Sequence, residues 1–211
     1  MTLHVPPAFA VEDREALAAL IDAHPFATLV TPAAPEPVIT HLPLLRESDR
    51  TLVGHFARAN PHAHAAPTGA SIAIFHGPHA YVSPTWYADP ARAVPTWNFA
   101  AVHARGTLET LPESDAERVL EALVVRFEGT LPGAWRFAMG GRERAAMIGG
   151  IVAFRFHVEA LVGKFKLSQN RAPSDRRRVI AALDAAPHAD SRATSAWMRA
   201  WARPDDDADG E

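Results

Sequence analysis

Two lysines lie two positions apart in the segment EALVGKFKLSQNR, residues 159–171. In an extended chain alternate side chains share one face, so Lys164, Lys166, Ser168 and Asn170 would point to the same side. Adjacent ammonium groups repel each other unless solvent or an anion separates them. One hypothesis is therefore a phosphate bound by two cations, a hydroxyl and an amide. The alternative is a solvated strand face on which the lysines only keep the sheet in solution.

Aromatic and hydrogen-bonding side chains alternate in two further segments, HGPHAYVSPTWY and VPTWNFAAVH. Burial in a core explains some of these rings. Polar groups interleaved so regularly in an apolar sheet indicate a flat heteroaromatic ligand, and Arg58 in FARANPH adds a third cation. Together with the lysine face, the profile fits a ring system that carries a phosphate. The flat faces in these two segments are those of Trp86, Tyr87, Trp97 and Phe99, and the hydrogen-bonding groups beside them are those of Thr85, Thr96, Asn98 and His103.

Other chemistries find little support in the sequence. The chain has no cysteine, which excludes disulfides, thiolate metal sites and cysteine nucleophiles. The histidines in PHAHA and HGPH form no HExxH pattern and have no carboxylate nearby, so we expect no metal site there. No GxSxG, GxGxxG or GxxxxGK[ST] motif is present, and no catalytic residue is identified. His41 lies in an apolar strand, where a histidine is more often a hydrogen-bonded core residue than a ligand.

The composition limits partners and location. A formal charge of −3 argues against a broad basic surface for nucleic acid. No window approaches the roughly 20 apolar residues of a membrane span, and the N-terminus lacks the features of a secretory signal. A soluble cytoplasmic protein is the prediction.

Several short apolar runs separated by turn residues predict an antiparallel barrel or sandwich rather than βαβ units. A helix is expected to begin with Asp13 as its N-cap and to end before Pro25. Ser114 and Glu117 predict a capping box at the start of an amphipathic helix. A further helix is predicted from Ser174, and the acidic end of the chain is expected to be disordered.

Five motifs, in order, resemble those of the PaiB family of FMN-binding proteins: THLPL, GHFARANPH, GPHAYVSPTWY, VPTWNFAAVH and GKFKLSQNR. The resemblance runs from HVPPAF to VIAAL and departs at Ala63, where relatives usually carry an aromatic residue. The family is described as FMN-binding negative transcriptional regulators. It implies a mainly β fold with flanking helices, namely an antiparallel, Greek-key-like split β-barrel. It also implies a homodimer that binds FMN between two barrels.

The resemblance also assigns the parts of the chain. It predicts an FMN-binding split-barrel domain over residues 1–172, a helical extension over 173–203 and the disordered tail over 204–211. The expected phosphate-side residues are Arg58, Lys164, Lys166 and Ser168. The expected ring-side residues are Thr40, His41, Trp97 and Asn98. The other expected cofactor contacts are Asn60, Ser83, Trp86 and Thr96.

Three functions stay open on the sequence. The first is a flavin-binding regulator, for which direct DNA recognition has weak support: there is no helix-turn-helix signature, and the one basic run is DRRR at 175–178. The second is an FMN-dependent oxidoreductase, in which the flavin supplies the chemistry and few catalytic side chains are visible. The third is a haem-binding or haem-degrading split barrel, with His41 or His103 as an iron ligand.

Overall fold

The computed structural model describes residues 3–65, 67–133, 135–136, 138 and 140–201. Within these ranges the chain forms eight strands and five α-helices. The strands are β1 Ala10–Val11, β2 Phe26–Thr31, β3 Val38–Pro43, β4 Leu45–Ser48, β5 Thr51–Ala57, β6 Ser71–Val82, β7 Thr96–Thr110 and β8 Ile151–Lys166. The helices are α1 Arg14–Ala23, α2 Glu113–Glu128, α3 Gly141–Gly149, α4 Pro173–Ala185 and α5 Ala189–Ala200.

The strands form one antiparallel sheet in the order β3-β2-β6-β7-β8-β5-β4, and β1 also pairs with β8. The sheet is not closed. Strands that follow one another across short turns pair directly, as β2 does with β3 and β4 with β5. The predicted mainly β fold with flanking helices is confirmed. In the described chain, α1 connects β1 to β2, α2 and α3 connect β7 to β8, and α4 and α5 follow β8.

The chain divides into two compact units. The first unit comprises the described parts of Met1–Leu20, His76–Val102 and Val162–Glu211. The second unit comprises the described parts of Ile21–Phe75 and His103–Leu161. The division into residues 1–172 and 173–203 stays a prediction, and the predicted tail, 204–211, lies outside the described residues.

Helix α1 begins as its sequence predicts. The Asp13 carboxylate accepts a hydrogen bond from the backbone N–H of Glu15 at 2.9 Å, and the helix ends at Ala23, ahead of Pro25. Leu17 is buried against β8, where a Cβ on Gly163 would overlap its side chain. This close approach requires glycine at position 163.

In the first unit, α4 and α5 cover the buried side of the end of β8. The rings of Trp197 and Trp201 meet the buried Phe165 ring edge-on, with centroids 5.3 and 5.0 Å away. The Arg176 guanidinium is buried beneath them and donates to the carbonyl oxygens of Leu167 (3.3 Å), Trp201 (3.1 Å) and Met198. The helix predicted from Ser174 is thus α4, and its arginine holds α5 to the chain after β8.

In the second unit, α2 packs its apolar side into a core cluster. The buried members of the cluster are Val53, Leu111, Ala116, Val119, Leu123 and Ala153. The capping box predicted for Ser114 and Glu117 is wrong. The helix begins at Glu113, so Ser114 is already inside it, and the N-cap is Pro112, which makes no side-chain cap bond. None of the helices in the described ranges combines the length and apolarity needed to cross a bilayer, and the predicted cytoplasmic location stays a prediction.

Candidate functional site

Lys166 is the last residue of β8, and its side chain is partly buried. Its ammonium donates to the Trp97 carbonyl oxygen at 2.8 Å and to the Thr96 hydroxyl. Both acceptors are neutral and belong to the first residues of β7, the neighbouring strand. The alternation of β8 sets this orientation, because Phe165 and Leu167 on either side are fully buried.

Lys164 projects from the same face of β8, two residues earlier. Its ammonium donates to the backbone carbonyl of His4 at 3.0 Å and lies 5.4 Å from the centre of the Phe99 ring. The N-terminal segment reaches this position because β1 pairs with β8, with Ala10 opposite Lys164.

No carboxylate among the described residues neutralises the positive charge of this pair. Among the described residues, neither Lys164 nor Lys166 forms an ion pair with a carboxylate. Burial lowers the pKa of Lys166, and the positive charges of Lys164 and Arg171 lower it further. Lys164 and Arg171 therefore each lie close enough to Lys166 to disfavour its positive charge, and an anion bound beside Lys166 would favour that charge. Lys164 and Lys166 are the two lysines of the whole sequence.

Exposed rings lie beside the lysines on the same side of the sheet. Trp97 on β7 is 52% exposed and Tyr81 on β6 is 45% exposed. The Trp97 ring lies 6.2 Å from the Tyr81 ring and 6.0 Å from the His79 ring, centroid to centroid. Strand order brings β6, β7 and β8 side by side. We name this surface of the first unit the aromatic–lysine face; its residues are His79, Tyr81, Trp97, Phe99, Lys164 and Lys166.

Asn98 and Ser168 lie in the interior. The Asn98 amide donates to the Ser168 hydroxyl at 2.9 Å and also contacts the Met198 sulfur at 3.3 Å. Ser168 adopts a positive φ of 65° and is buried. The alternation predicted through Asn170 therefore ends with the strand, and Ser168 does not follow Lys164 and Lys166 onto their face. The pair instead fixes the chain after β8 to β7.

Ser83 directly precedes a 3-10 turn of the first unit, Pro84–Trp86, and Trp86 is the last residue of that turn. The Ser83 hydroxyl caps this turn by accepting from the Thr85 backbone N–H at 3.3 Å, and it lies 2.8 Å from the Thr85 hydroxyl. Trp86 is partly buried. These two predicted contacts therefore help to shape the loop between β6 and β7.

In the second unit, Thr40 and Asn60 form hydrogen bonds with His62, a histidine of the PHAHA segment that is not among the predicted cofactor contacts. The Thr40 hydroxyl donates to the Asn60 side-chain oxygen at 3.2 Å and lies 2.6 Å from Nδ1 of His62. The His62 ring stacks on Phe56 at 5.0 Å, and its burial lowers its pKa. The sequence signal was the Asn-Pro step, because the Asn60 side chain also accepts from the His62 backbone N–H at 2.9 Å.

The other two predicted residues of this unit have partners of their own. His41 is exposed, and its Nδ1 lies 3.0 Å from the Thr28 hydroxyl. The Arg58 guanidinium donates to the carbonyl oxygens of Ile151 (3.0 Å) and Gly149, so it holds the end of α3 to the start of β8. In the described part of the chain, no three side chains of metal-ligand type converge.

The donor set of the aromatic–lysine face matches the chemistry of a flavin mononucleotide. Two ammonium groups with no carboxylate partner among the described residues can form charge-assisted hydrogen bonds to a phosphate dianion. Exposed aromatic rings can stack on a flat tricyclic ring. A family model described as "Putative FMN-binding domain" matches residues 3–160. The chain is also 32% identical over 187 residues to the Bacillus subtilis "Protease synthase and sporulation protein PAI 2", covering 86% of this chain and 89% of that protein.

The chain belongs to the PaiB family of FMN-binding proteins. A further PaiB-like relative is an uncharacterized protein of Aspergillus fumigatus, 32% identical over 168 residues, which cover 62% of this chain and 64% of that protein. The predicted family and its cofactor, FMN, are confirmed.

Two solved structures share the fold at low sequence identity. The flavocytochrome Anf3 from Azotobacter vinelandii aligns with a TM-score of 0.62 and 20% identity, covering 77% of this PaiB-family chain and 72% of that chain. An FAD and haem binding protein from Mycobacterium smegmatis aligns with a TM-score of 0.60 and 20% identity, covering 82% and 79%. The split-barrel fold class is confirmed at this level.

Proposed function

We propose that this PaiB-family protein binds FMN on the aromatic–lysine face and acts with or through the flavin as a negative regulator of transcription. The observation that carries the binding site is the pair of ammonium groups without a carboxylate partner in the described chain, next to exposed rings on one sheet face. When bound, the flavin ring supplies hydride or electron transfer. The protein's part is to hold and orient it.

In this proposal Lys164 and Lys166 hold the phosphate, with the Thr96 hydroxyl beside them. Lys166 can bind a phosphate without losing an ion pair, because its present acceptors are neutral. Its ammonium has three N–H donors, so it can also keep one or both of its present hydrogen bonds. Trp97 offers the exposed ring surface for the flavin. Thr40, His41, Arg58, Asn60, Ser83 and Trp86 stay predicted contacts.

Asn98 and Ser168 are proposed as positioning residues. Their buried hydrogen bond joins β7, at the residue after Trp97, to the chain two residues after Lys166. A change at either position would shift the ring and the ammonium group relative to each other. We therefore expect an effect on FMN affinity without any direct contact with the cofactor.

The site is tested by titrating FMN and following its fluorescence. Replacing Lys164 and Lys166 by alanine removes the charge-assisted hydrogen bonds to phosphate, at about 1.5–3 kcal/mol each. Affinity should fall roughly ten- to a hundredfold for each bond lost. The double Lys→Arg variant is the matched control, because it retains both charges. If the alanine variant binds FMN with unchanged affinity, the lysines do not bind the phosphate and are simply exposed to solvent.

We also propose a homodimer, supported by an uncharged surface on the second unit. The register of β2 and β3 gives one face composed of Phe26, Thr28, Val30, Ile39, His41 and Pro43. Phe26 is 66% exposed and Ile39 is 57% exposed, which is unusual for large apolar side chains on one face. Light scattering with and without FMN checks the proposal, and a compact monomer that binds FMN with full stoichiometry would contradict it.

Regulation is proposed to act through a metabolite or a protein partner rather than through a broad DNA-binding surface. The net charge of −3 supports this preference. A DNA-binding assay at stated salt concentrations tests it, because phosphate contacts give a steep salt dependence. An absorption spectrum of the purified protein separates the remaining alternatives: flavin bands indicate FMN, and a Soret band indicates haem.

A further inference from the structure

The hydrogen bonds of Lys166 orient its side-chain nitrogen as a nucleophile requires. Its Nζ donates to the Trp97 carbonyl oxygen at 2.8 Å and to the Thr96 hydroxyl. Because this nitrogen is tetrahedral, these two bonds and the bond to Cε leave one position at Nζ, and in the neutral amine that position carries the lone pair. The side chain is only partly buried, so a reactant can approach the nitrogen from solvent.

The surroundings of Lys166 favour its neutral form. Burial contributes most to the lowering of its pKa, and the positive charges of Lys164 and Arg171 lower the pKa further. A lysine side chain must be neutral to attack an electrophile, so this environment increases the reactive fraction. The reactant that these cations attract is an anion.

Lys164 is placed to hold the anionic part of such a reactant. It lies two residues before Lys166 on the same face of β8, so the two side chains leave the strand about 6.6 Å apart. Its ammonium donates to the neutral carbonyl of His4 at 3.0 Å, and an ammonium has three N–H donors, so two can serve an anion. Arg171 stacks on the Tyr87 ring and adds to the positive potential around Lys166.

We propose that Lys166 is a site of covalent acylation by acyl phosphates, whose phosphate group is bound by Lys164. In an acyl phosphate the carbonyl and the phosphate share one oxygen atom, so a phosphate at Lys164 brings the carbonyl close to Lys166. The amine attacks the carbonyl carbon, and the N–C bond forms as the C–O bond to phosphate breaks. The amine proton passes to the departing phosphate. The products are an Nε-acyl lysine and hydrogen phosphate, and no further reactant is needed.

The modification itself does not depend on flavin, whereas its consequence rests on the proposed function. Acylation converts the amine of Lys166 into a neutral amide, which cannot form a charge-assisted hydrogen bond to the FMN phosphate. Acylated protein therefore binds FMN more weakly, and the supply of acyl phosphate regulates how much of the protein carries the flavin.

The first test compares acetyl phosphate with an uncharged donor, p-nitrophenyl acetate. Peptide mass spectrometry follows the acetylation of each lysine, and Lys164 and Lys166 are the only two in the sequence. Removing a neighbouring charge also changes the fraction of neutral Lys166 amine, but this fraction affects both donors equally. The ratio of the two acetylation rates at Lys166 therefore reports on capture of the anionic donor alone.

Acetyl phosphate at about 20 mM salt should modify Lys166 about five- to tenfold faster than Lys164. Lys164→Met should lower the donor ratio at Lys166 about three- to tenfold, because it removes one charge beside the bound phosphate. In the native protein, about 0.5 M salt should lower this ratio in the same direction. Arg178→Met, at an exposed arginine of α4, is the control and should leave the ratio within about twofold. Equal rates at the two lysines, or an unchanged ratio in Lys164→Met, would overturn the proposal.

The second test measures FMN affinity for protein that carries Nε-acetyllysine at position 166, incorporated during translation. The affinity should fall about tenfold or more relative to the unmodified protein. Selective acetylation with unchanged FMN affinity would support the modification site and count against the lysines as the FMN phosphate site. Lower FMN affinity without selective acetylation would overturn the modification site and support the FMN site.

Discussion

Replacing Arg176 by methionine is expected to destabilise the first unit strongly. The side chain is 2% exposed, and its guanidinium serves three carbonyl groups from two different segments, at Leu167, Met198 and Trp201. Methionine fills a similar length but donates no hydrogen bond. The substitution therefore leaves buried carbonyls without these donors and frees the end of α5 from the chain after β8.

The expected change in the free energy of unfolding is the difference between two opposing contributions. Three hydrogen bonds from a charged donor contribute about 1.5–3 kcal/mol each, or roughly 4.5–9 kcal/mol together. Removing the guanidinium also removes the cost of burying an ion, which is several kcal/mol. The difference should leave a net loss of about 3–5 kcal/mol in the free energy of unfolding.

Urea unfolding followed by tryptophan fluorescence measures this loss, because Trp197 and Trp201 both contact Phe165. Arg178→Met is the matched control: it lies on the same helix, its side chain is exposed, and its change should stay within about 0.5 kcal/mol. A free energy of unfolding for the Arg176 variant within 1 kcal/mol of this control would refute the reasoning.

Two further predictions concern the second unit. Gly106→Ala should cost about 1–3 kcal/mol or more in urea unfolding, because a Cβ there overlaps the His157 carbonyl. Gly69→Ala should be nearly neutral, because a Cβ there meets only Pro32 Cγ, at an ordinary contact distance of 3.7 Å. Burial holds the pKa of His62 below its ordinary value of 6.5, so the unfolded chain binds more protons than the folded one as pH falls below 6.5. Stability should therefore be complete above that pH and decline below it. His62→Gln should flatten the decline, and the exposed His76→Gln should not.

Local signals in the sequence predicted the elements whose ends are fixed by neighbouring residues. Asp13 caps α1 because its carboxylate needs only the backbone two residues ahead, and Pro25 stops the helix by its own geometry. The capping box at Ser114 failed because the N-cap is Pro112, with φ of −62° and an extended ψ, two residues earlier. The backbone conformation of Pro112 therefore determined where the helix begins, and the Ser114/Glu117 pattern did not.

The candidate site was predictable where strand alternation holds and was missed where it ends. Lys164 and Lys166 share a face because β8 is regular through Lys166. Ser168 points inward because its backbone has a positive φ. A serine in the sequence does not predict a positive φ, so the change of direction could not be foreseen. The link from Thr40 to His62 joins residues 22 positions apart. Only the tertiary fold brings them together, so no spacing rule could identify it.

The side chain of Gln169 acts as a short piece of strand for the end of β8. Its amide oxygen accepts from the Leu167 backbone N–H at 2.7 Å, and its nitrogen donates to the Phe165 carbonyl at 2.5 Å. The backbone on both sides of Lys166 is thereby ordered by a residue of the same loop. The loop loses its conformational entropy when the chain folds. Binding of an anion therefore does not carry the entropic cost of ordering it. Gln169 would therefore preorganise Lys166 for the anion that is proposed to bind there.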